Sequence, residues 1–427
     1  MRLSLGLVVV LAACNPVVAH TPDATTIDAS PDAPTHGTVT VKVFDPSSSG
    51  AVVVGIPVVF IEADGSLVGH PVTAADGTAS ADVHTGASAT AVIAQANSTQ
   101  LETVVGLVPG DHVNIGPSGA PATAVGSFSV SFPAYSGATS YNVYGPCGST
   151  SGTASPVVLQ MQSDCKLDTM DLTVVPMDSG GNGLAYLTKT GVAFVANGTT
   201  TMTGAYTGMS AFTATVTNIG STVTQVGVGR FVPDTNGFSN QTSGAPTNGM
   251  ITLMAPGPSG TKALVSSQFS TANSQQAVLQ SIAGNVQTYG LDAGMTLLPW
   301  VGPMVFDLAN HKIMVPTSTA GTTSDAPDVF FVQAGYSRTV GMTTSNFMWV
   351  VIGPTATDVT LPVLPVDVGD VMPKATDTSQ GLFGVMLEAD TYNGYNDVRQ
   401  DLYGTLGVIT GPHTTAMRIR ESVGSSP

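Results

Sequence analysis

The feature that most restricts this chain is a repeated alternation of large apolar residues with small polar ones, interrupted every few positions by Gly, Pro, Asn or Asp. Val39, Val41 and Val43 alternate with Thr38, Thr40 and Lys42, and Phe128, Val130 and Phe132 alternate with Ser127, Ser129 and Ser131. Side chains of a strand point to opposite faces in turn, so each such segment has one face to bury and one to wet. A helix would need its apolar residues three and four apart. The expectation is an all-β protein with very little helix, built as tandem β-sandwich modules followed by a larger β-rich domain. Ser274–Ile282, helped by Gln275, Gln276, Ala277 and Leu279, is the best helix candidate.

The wet faces have to be neutral. Charged residues make up 9% of the chain, against roughly 25% in an ordinary soluble protein. Of those present, 28 are acidic and 12 basic, a net charge of −16, and such a field repels a phosphate backbone. Nucleic acid is excluded as a partner. The zinc-protease His-Glu-x-x-His, the Gly-x-Ser-x-Gly elbow, the phosphate-binding loop and the dinucleotide glycine fingerprint are all absent. Ser163 to Lys166 matches Ser-x-x-Lys, but its companion motifs are missing. His70, His84, His112, His311 and His413 are scattered beside turn residues, so no general base stands out.

At the amino terminus, Arg2 precedes the apolar run Leu3 to Leu11, which is too short to cross about 30 Å of hydrocarbon as a helix. Leu11-Ala12-Ala13-Cys14 ends that run and resembles a bacterial lipobox. The resemblance implies a signal peptide over residues 1–13, lipid on Cys14 and a mature protein anchored in a membrane without spanning it. Asn15, where Asp would retain a lipoprotein at the inner membrane, implies the outer membrane of the cell envelope. Residues 14–36 carry Asp23, Asp28 and Asp32 among Pro, Thr and Ala with no apolar face, and read as an acidic tether. Extended, it reaches about 70 Å.

Residues 37–116 contain GIPVVFIEADG, VTAADGTASADV and GLVPGDHVNIG, and resemble carboxypeptidase-regulatory-like and bacterial Ig-like sandwich modules, which are non-catalytic. Residues 117–229 carry the Phe128 alternation followed by GATSYNVYG, similar to early strands of a fibronectin type III module. With Cys14 assigned to lipid, Cys147 and Cys165 remain, and an exported pair without nearby His is expected to form a disulfide. Thr190–Gly229 holds no charged residue, yet its Thr and Gly content is that of a half-buried hairpin.

Residues 230–427 form the β-rich C-terminal domain, with strands expected near 250–254, 304–307, 312–315, 329–333, 347–352, 383–388 and 416–420. Two features are candidates for binding. Asp390, Asn393 and Asp397 offer oxygens of the kind calcium takes, although Asx-rich loops also serve simply as turns, and no other cofactor is indicated. Trp300, flanked by Pro299 and Gly302 in a turn, is the better candidate of the two tryptophans for an exposed sugar platform with Tyr392 and Tyr395, whereas Trp349 lies in a run that reads as buried strand. The function expected is that of a non-enzymatic, lipid-anchored envelope protein with a structural or ligand-binding role. The alternatives are a carbohydrate-binding or adhesive lipoprotein with a glycan or protein ligand, and a hydrolase with an unrecognised site in residues 230–427.

Overall fold

The computed structural model describes residues 35–45, 50–95, 98–116, 123–163, 165–232, 238–259, 262–283, 286–323, 325–354, 358–400 and 418–426. Cys14, the signal peptide, residues 14–34 of the tether and His413 lie outside the described residues. The chain is all-β: its described helices are the short Ala293–Thr296 and Tyr395–Gln400 and one 3-10 turn. None is long and apolar enough to cross a membrane.

The first alternating segment becomes the strand His36–Val43, with Val39, Val41 and Val43 fully buried. It lies between Thr78–His84 and Ile115's strand, His112–Ile115, in a three-stranded sheet. On the wet face, Thr38 and Thr40 hydroxyls bond to Asp82 and Ser80. The buried face packs over Val58, Phe60, Ala89, Ala91 and Val104.

Those residues belong to a second layer that does not end within residues 37–116. Leu67–Gly69, Val58–Ile61, Ala87–Ala94 and Ser98–Leu107 continue into a twelve-stranded sheet. The next strands are Thr343–Gly353, Val329–Val340, Thr378–Ala389, Arg418–Ser425, Ser274–Ala283, Lys262–Ser270, Gln225–Phe231 and, at the far edge, Phe238–Gly244. Ser98–Leu107 meets Thr343–Gly353 in parallel, from Ser98 opposite Asn346 to Val104 opposite Ile352. The other described pairs of this sheet are antiparallel. Residues 37–116 and 230–427 therefore share one sheet. Its opposite face carries a second core around Trp349, Tyr336 and Phe330, and a third around Phe212, Val228 and Phe269.

The Phe128 segment behaves differently. Ala124–Ser131, Val157–Gln162 and Gly198–Thr201 form one sheet, and Gly148–Gly152, Ser140–Gly145, Thr169–Met177, Ala185–Ala193 and Thr207–Gly208 form the other. Phe128, Val130, Val143, Leu159 and Leu172 fill the space between them. Thr213–Thr217 instead pairs with Ile251–Met254 and Thr288–Asp292. Sheet membership thus changes after Gly208, ahead of the boundary expected at 229.

The helix expected over Ser274–Ile282 is a strand, Ser274–Ala283. It is hydrogen-bonded on both sides, to Lys262–Ser270 and to Arg418–Ser425. Gln276 and Val278 are buried while Gln275 is exposed, and the Gln276 amide donates to the Leu298 carbonyl at 2.6 Å. Two neighbouring strands outweigh the helix preference of Gln, Ala and Leu, which is worth only tenths of a kcal/mol per residue, about 0.5 at most.

Candidate functional site

The disulfide expected between Cys147 and Cys165 is present, with the two Cα atoms 5.0 Å apart. Cys147 precedes a strand of the five-stranded sheet and Cys165 follows one of the three-stranded sheet, so the bridge links the two layers of the sandwich. Its role is structural.

The proposed sugar platform does not form. Trp300 is 5% exposed and sits in the third core, not on a concave face. Trp300–Val301 pairs with Thr317–Ser318, and this ribbon is tied down by Ser274, whose hydroxyl donates to the Val301 carbonyl, and by Ser422, which accepts from the Val301 amide. The flanking Pro299 and Gly302 do mark a turn, but burial of a large ring decides where the indole goes. Trp349 is fully buried, its indole nitrogen donating to Thr103 Oγ1 at 2.9 Å. Thr103 in turn is 2.8 Å from the Thr90 hydroxyl.

Tyr392 and Tyr395 pack against the first core rather than offering free ring faces. The Tyr395 hydroxyl reaches the Val105 carbonyl at 2.8 Å and the Ile352 carbonyl at 3.1 Å, one on each side of the parallel seam. Burial pushes this phenol above its ordinary pKa. Two of the carboxylates proposed for calcium have protein partners. Asp390 faces the Arg418 guanidinium at 3.4 Å, and Asp397 accepts from the Asn393 amide at 3.0 Å. Among the described residues, no three His, Cys, Asp or Glu side chains come together as a metal site.

What the Asp390–Gln400 segment brings together is a clamp across the seam. Arg399 lies against Asp111 with Nε to Oδ2 at 2.8 Å and Nη2 to Oδ1 at 3.0 Å, and both side chains are almost completely buried. Its Nη1 donates to the Gly106 carbonyl and to Asn396 Oδ1. The guanidinium lies 5.7 Å from the Tyr395 ring centre. Asp111 comes from the tight turn of GLVPGDHVNIG, where its carboxylate also accepts from the Val108 amide. The Nη2 contact is a hydrogen bond, while the Nε–Oδ2 approach is an ion pair without hydrogen-bond alignment.

Two similar networks hold the same sheet elsewhere. Arg420 bonds Glu388 at 2.6 Å, Asp325 at 3.0 Å and the Thr296 carbonyl. Arg338 bonds Asp377 through both Nε and Nη2 and reaches the carbonyls of Asp370 and Met372. Burial works to raise the Asp377 carboxyl, but the Arg338 fork and the Lys374 amide overcome it and hold it below the usual range. Asp328 lacks a comparable fork. Burial, with repulsion from Glu388, pushes its carboxyl up to about 7, although the Ala389 and Gly394 amides pull the other way.

These arginines and Asp111 were missed in the sequence. The usable signal was scarcity: in a chain so poor in charge, an Arg inside an alternating segment needs a buried counter-charge. Three of the histidines have ordinary partners. His84 lies 3.1 Å from Glu62, His70 lies 3.2 Å from Asp367, and His311 meets the Pro373 carbonyl at 3.0 Å. Two open cavities have neutral linings. One of about 430 Å³ is lined by Ser140, Asn142, Ser151 and Met177, and one of about 390 Å³ lies over Gly227 between Gln225, Gln241 and Gln268.

No protein-family model and no curated protein matches the sequence. Among solved structures, the Bacillus anthracis TIE protein is similar at 10% identity and a TM-score of 0.16, over 61% of this chain and 50% of that one. The chain thus spans half the length of that relative. A Streptococcal ancillary pilin is similar at 8% identity and a TM-score of 0.16, over 60% of this chain and 98% of that one. At these scores neither likeness bears on the function of this chain.

Proposed function

We propose that this is a non-enzymatic protein of the bacterial cell envelope, held to the outer membrane by lipid on Cys14 and serving a structural or ligand-binding role. The observation that supports it best is the way the strand nearest the tether is fastened. Thr40–Val43 pairs in parallel with His112–Ile115, and the Thr40 amide donates to the Asp111 carbonyl at 2.9 Å. The Asp111 side chain is in turn clamped by Arg399. A pull arriving through the tether therefore loads a set of parallel-strand hydrogen bonds and a buried ion pair together, rather than peeling one bond at a time. Such fastening suits a body anchored at that end.

The test is intact-mass analysis of protein from the native host, with membrane fractionation of a Cys14→Ser variant. A lipid-sized mass increment on Cys14 and release of the variant into the soluble fraction are expected. An unmodified amino terminus, or a variant that stays with the membrane, would overturn the reading.

A further inference from the structure

The outer face of the large sheet changes character at its far end. Along Gln225–Phe231, Val226 and Val228 point into the third core, so Gln225, Gly227 and Gly229 face the other way. Gly227 stands between Ser243 on one neighbouring strand and Gln268 on the other, and Gly229 between Gln241 and Ser266. The middle strand thus offers no side chain at two consecutive outward positions, and the Gln241 amide crosses over it to reach Gln268 Oε1 at 3.3 Å. Beside it, Gln225 Nε2 bonds the Ser243 hydroxyl at 3.1 Å. Both glycines and Ser266 are buried, while Gln225, Gln241, Ser243 and Gln268 are exposed.

The backbone does not require glycine at 227. Its φ lies outside the left-handed region, and a Cβ there would meet Ser243 and Gln268 at 3.7 and 3.8 Å, ordinary contact distances. A longer side chain would lift the amide bridge off the sheet. Glycine inside a strand costs stability and commonly marks a close approach by another group. Here the approaching groups are the amides, laid flat in a rack across three strands.

Once the internal bonds are counted, the rack still offers the carbonyl oxygens of Gln225 and Gln241, the amide nitrogen of Gln268 and the hydroxyl of Ser270. They border an open depression of about 390 Å³ whose lining contains no charged residue. Fixed neutral donors beside acceptors match vicinal sugar hydroxyls, each of which donates and accepts. Holding them in place before binding reduces the ordering cost on association. An anionic polymer would find no counter-charge here and would meet a chain of net charge −16. We propose that this amide rack binds a neutral glycan chain, at a site remote from the aromatic residues that the sequence singled out. The inference rests on the sheet alone and holds with or without the lipid anchor.

The test is affinity electrophoresis of the full-length protein in a polyoxyethylene detergent, in native gels containing dextran, mannan or laminarin, with alginate as the polyanion. Retardation by at least one neutral polymer and none by alginate is expected. Gln268→Ala, an exposed change, and Gly227→Leu should each weaken the apparent association at least tenfold. If Gly227→Leu fails to fold, Gln268→Ala decides alone. No retardation by any neutral polymer, equal retardation of wild type and Gln268→Ala, or retardation by alginate to the same degree would overturn the proposal. So would a doubling of mass with concentration that Gln268→Ala abolishes while no polymer retards the protein, since the face would then pair two copies of the chain. Cys14→Ser should be retarded like wild type, so failure of the anchor reading is separable from failure of this one.

Discussion

The sandwich between Ala124 and Gly208 and the stretch between His36 and Ile115 start from the same kind of sequence and end differently. The sandwich closes on itself, with two sheets around one core and a disulfide between its layers. The earlier stretch stays open. Its strand Ser98–Leu107 takes Thr343–Gly353 as a neighbour, and its core includes Val329, Ile352, Leu387 and Ile419 from far along the chain. What separates the two cases is the fate of an edge strand. An edge with free N–H and C=O groups is open to any strand that fits, and whether it stays within its module decides whether that module is a separable unit.

The contrast is most easily broken at the clamp. Asp111→Ala leaves the Arg399 guanidinium buried without its carboxylate, and removing one member of such a pair costs roughly 3–5 kcal/mol. The expected result is a lower Tm for the large sheet, with amide exchange protection lost together over 98–107 and 343–353. If those strands stay protected, the stretch 36–115 is held by pairing alone. Next comes the bridge. Replacing both Cys147 and Cys165 by Ser opens a loop of 18 residues in separation, worth about 3 kcal/mol by chain entropy. Calorimetry should show the loss confined to the sandwich transition, and an equal loss in the large sheet would erase the distinction.

Asp328 offers the smallest effect at any one pH step, at most about 1.4 kcal/mol per unit. Its folded carboxyl holds a proton up to about 7, against an ordinary value of 3.8. Between those values the folded state binds more protons than the unfolded one. Its stabilising contribution is therefore complete below about 4 and lost as pH rises through about 7. Unfolding titrations of the large sheet should slope downward across that window, and Asp328→Asn should flatten the slope while leaving the sandwich unchanged.

The strands were legible because alternation is a local property. Phe128, Val130 and Val143 read as core and are core, and the strands expected near Lys312, Val329, Phe347 and Phe383 all form. The Cys147–Cys165 bridge was legible because so few cysteines remained. Trp349 was readable from its run, but Trp300 was not, since the turn around it says nothing about which surface the ring meets. The clamp was invisible for a related reason: Asp111 and Arg399 are 288 positions apart, and each alone looks like a charge in a solvated turn. The amide rack was hidden too, because Gly227 and Gly229 read as weak strand formers until the neighbouring glutamines are seen to cross them.

Taken alone, the amino-acid order determined that this chain pleats, that its wet faces are neutral and that two of its thiols pair. Each of these depends on residues close together in the chain or on counts. Only the tertiary structure decided which strands become neighbours, turned Ser274–Ala283 from a helix former into a strand, joined the first stretch to the last in one sheet and buried Trp300. Strand pairing is satisfied by backbone groups that every sequence carries alike, so the choice of partner falls to side-chain contacts made across hundreds of residues.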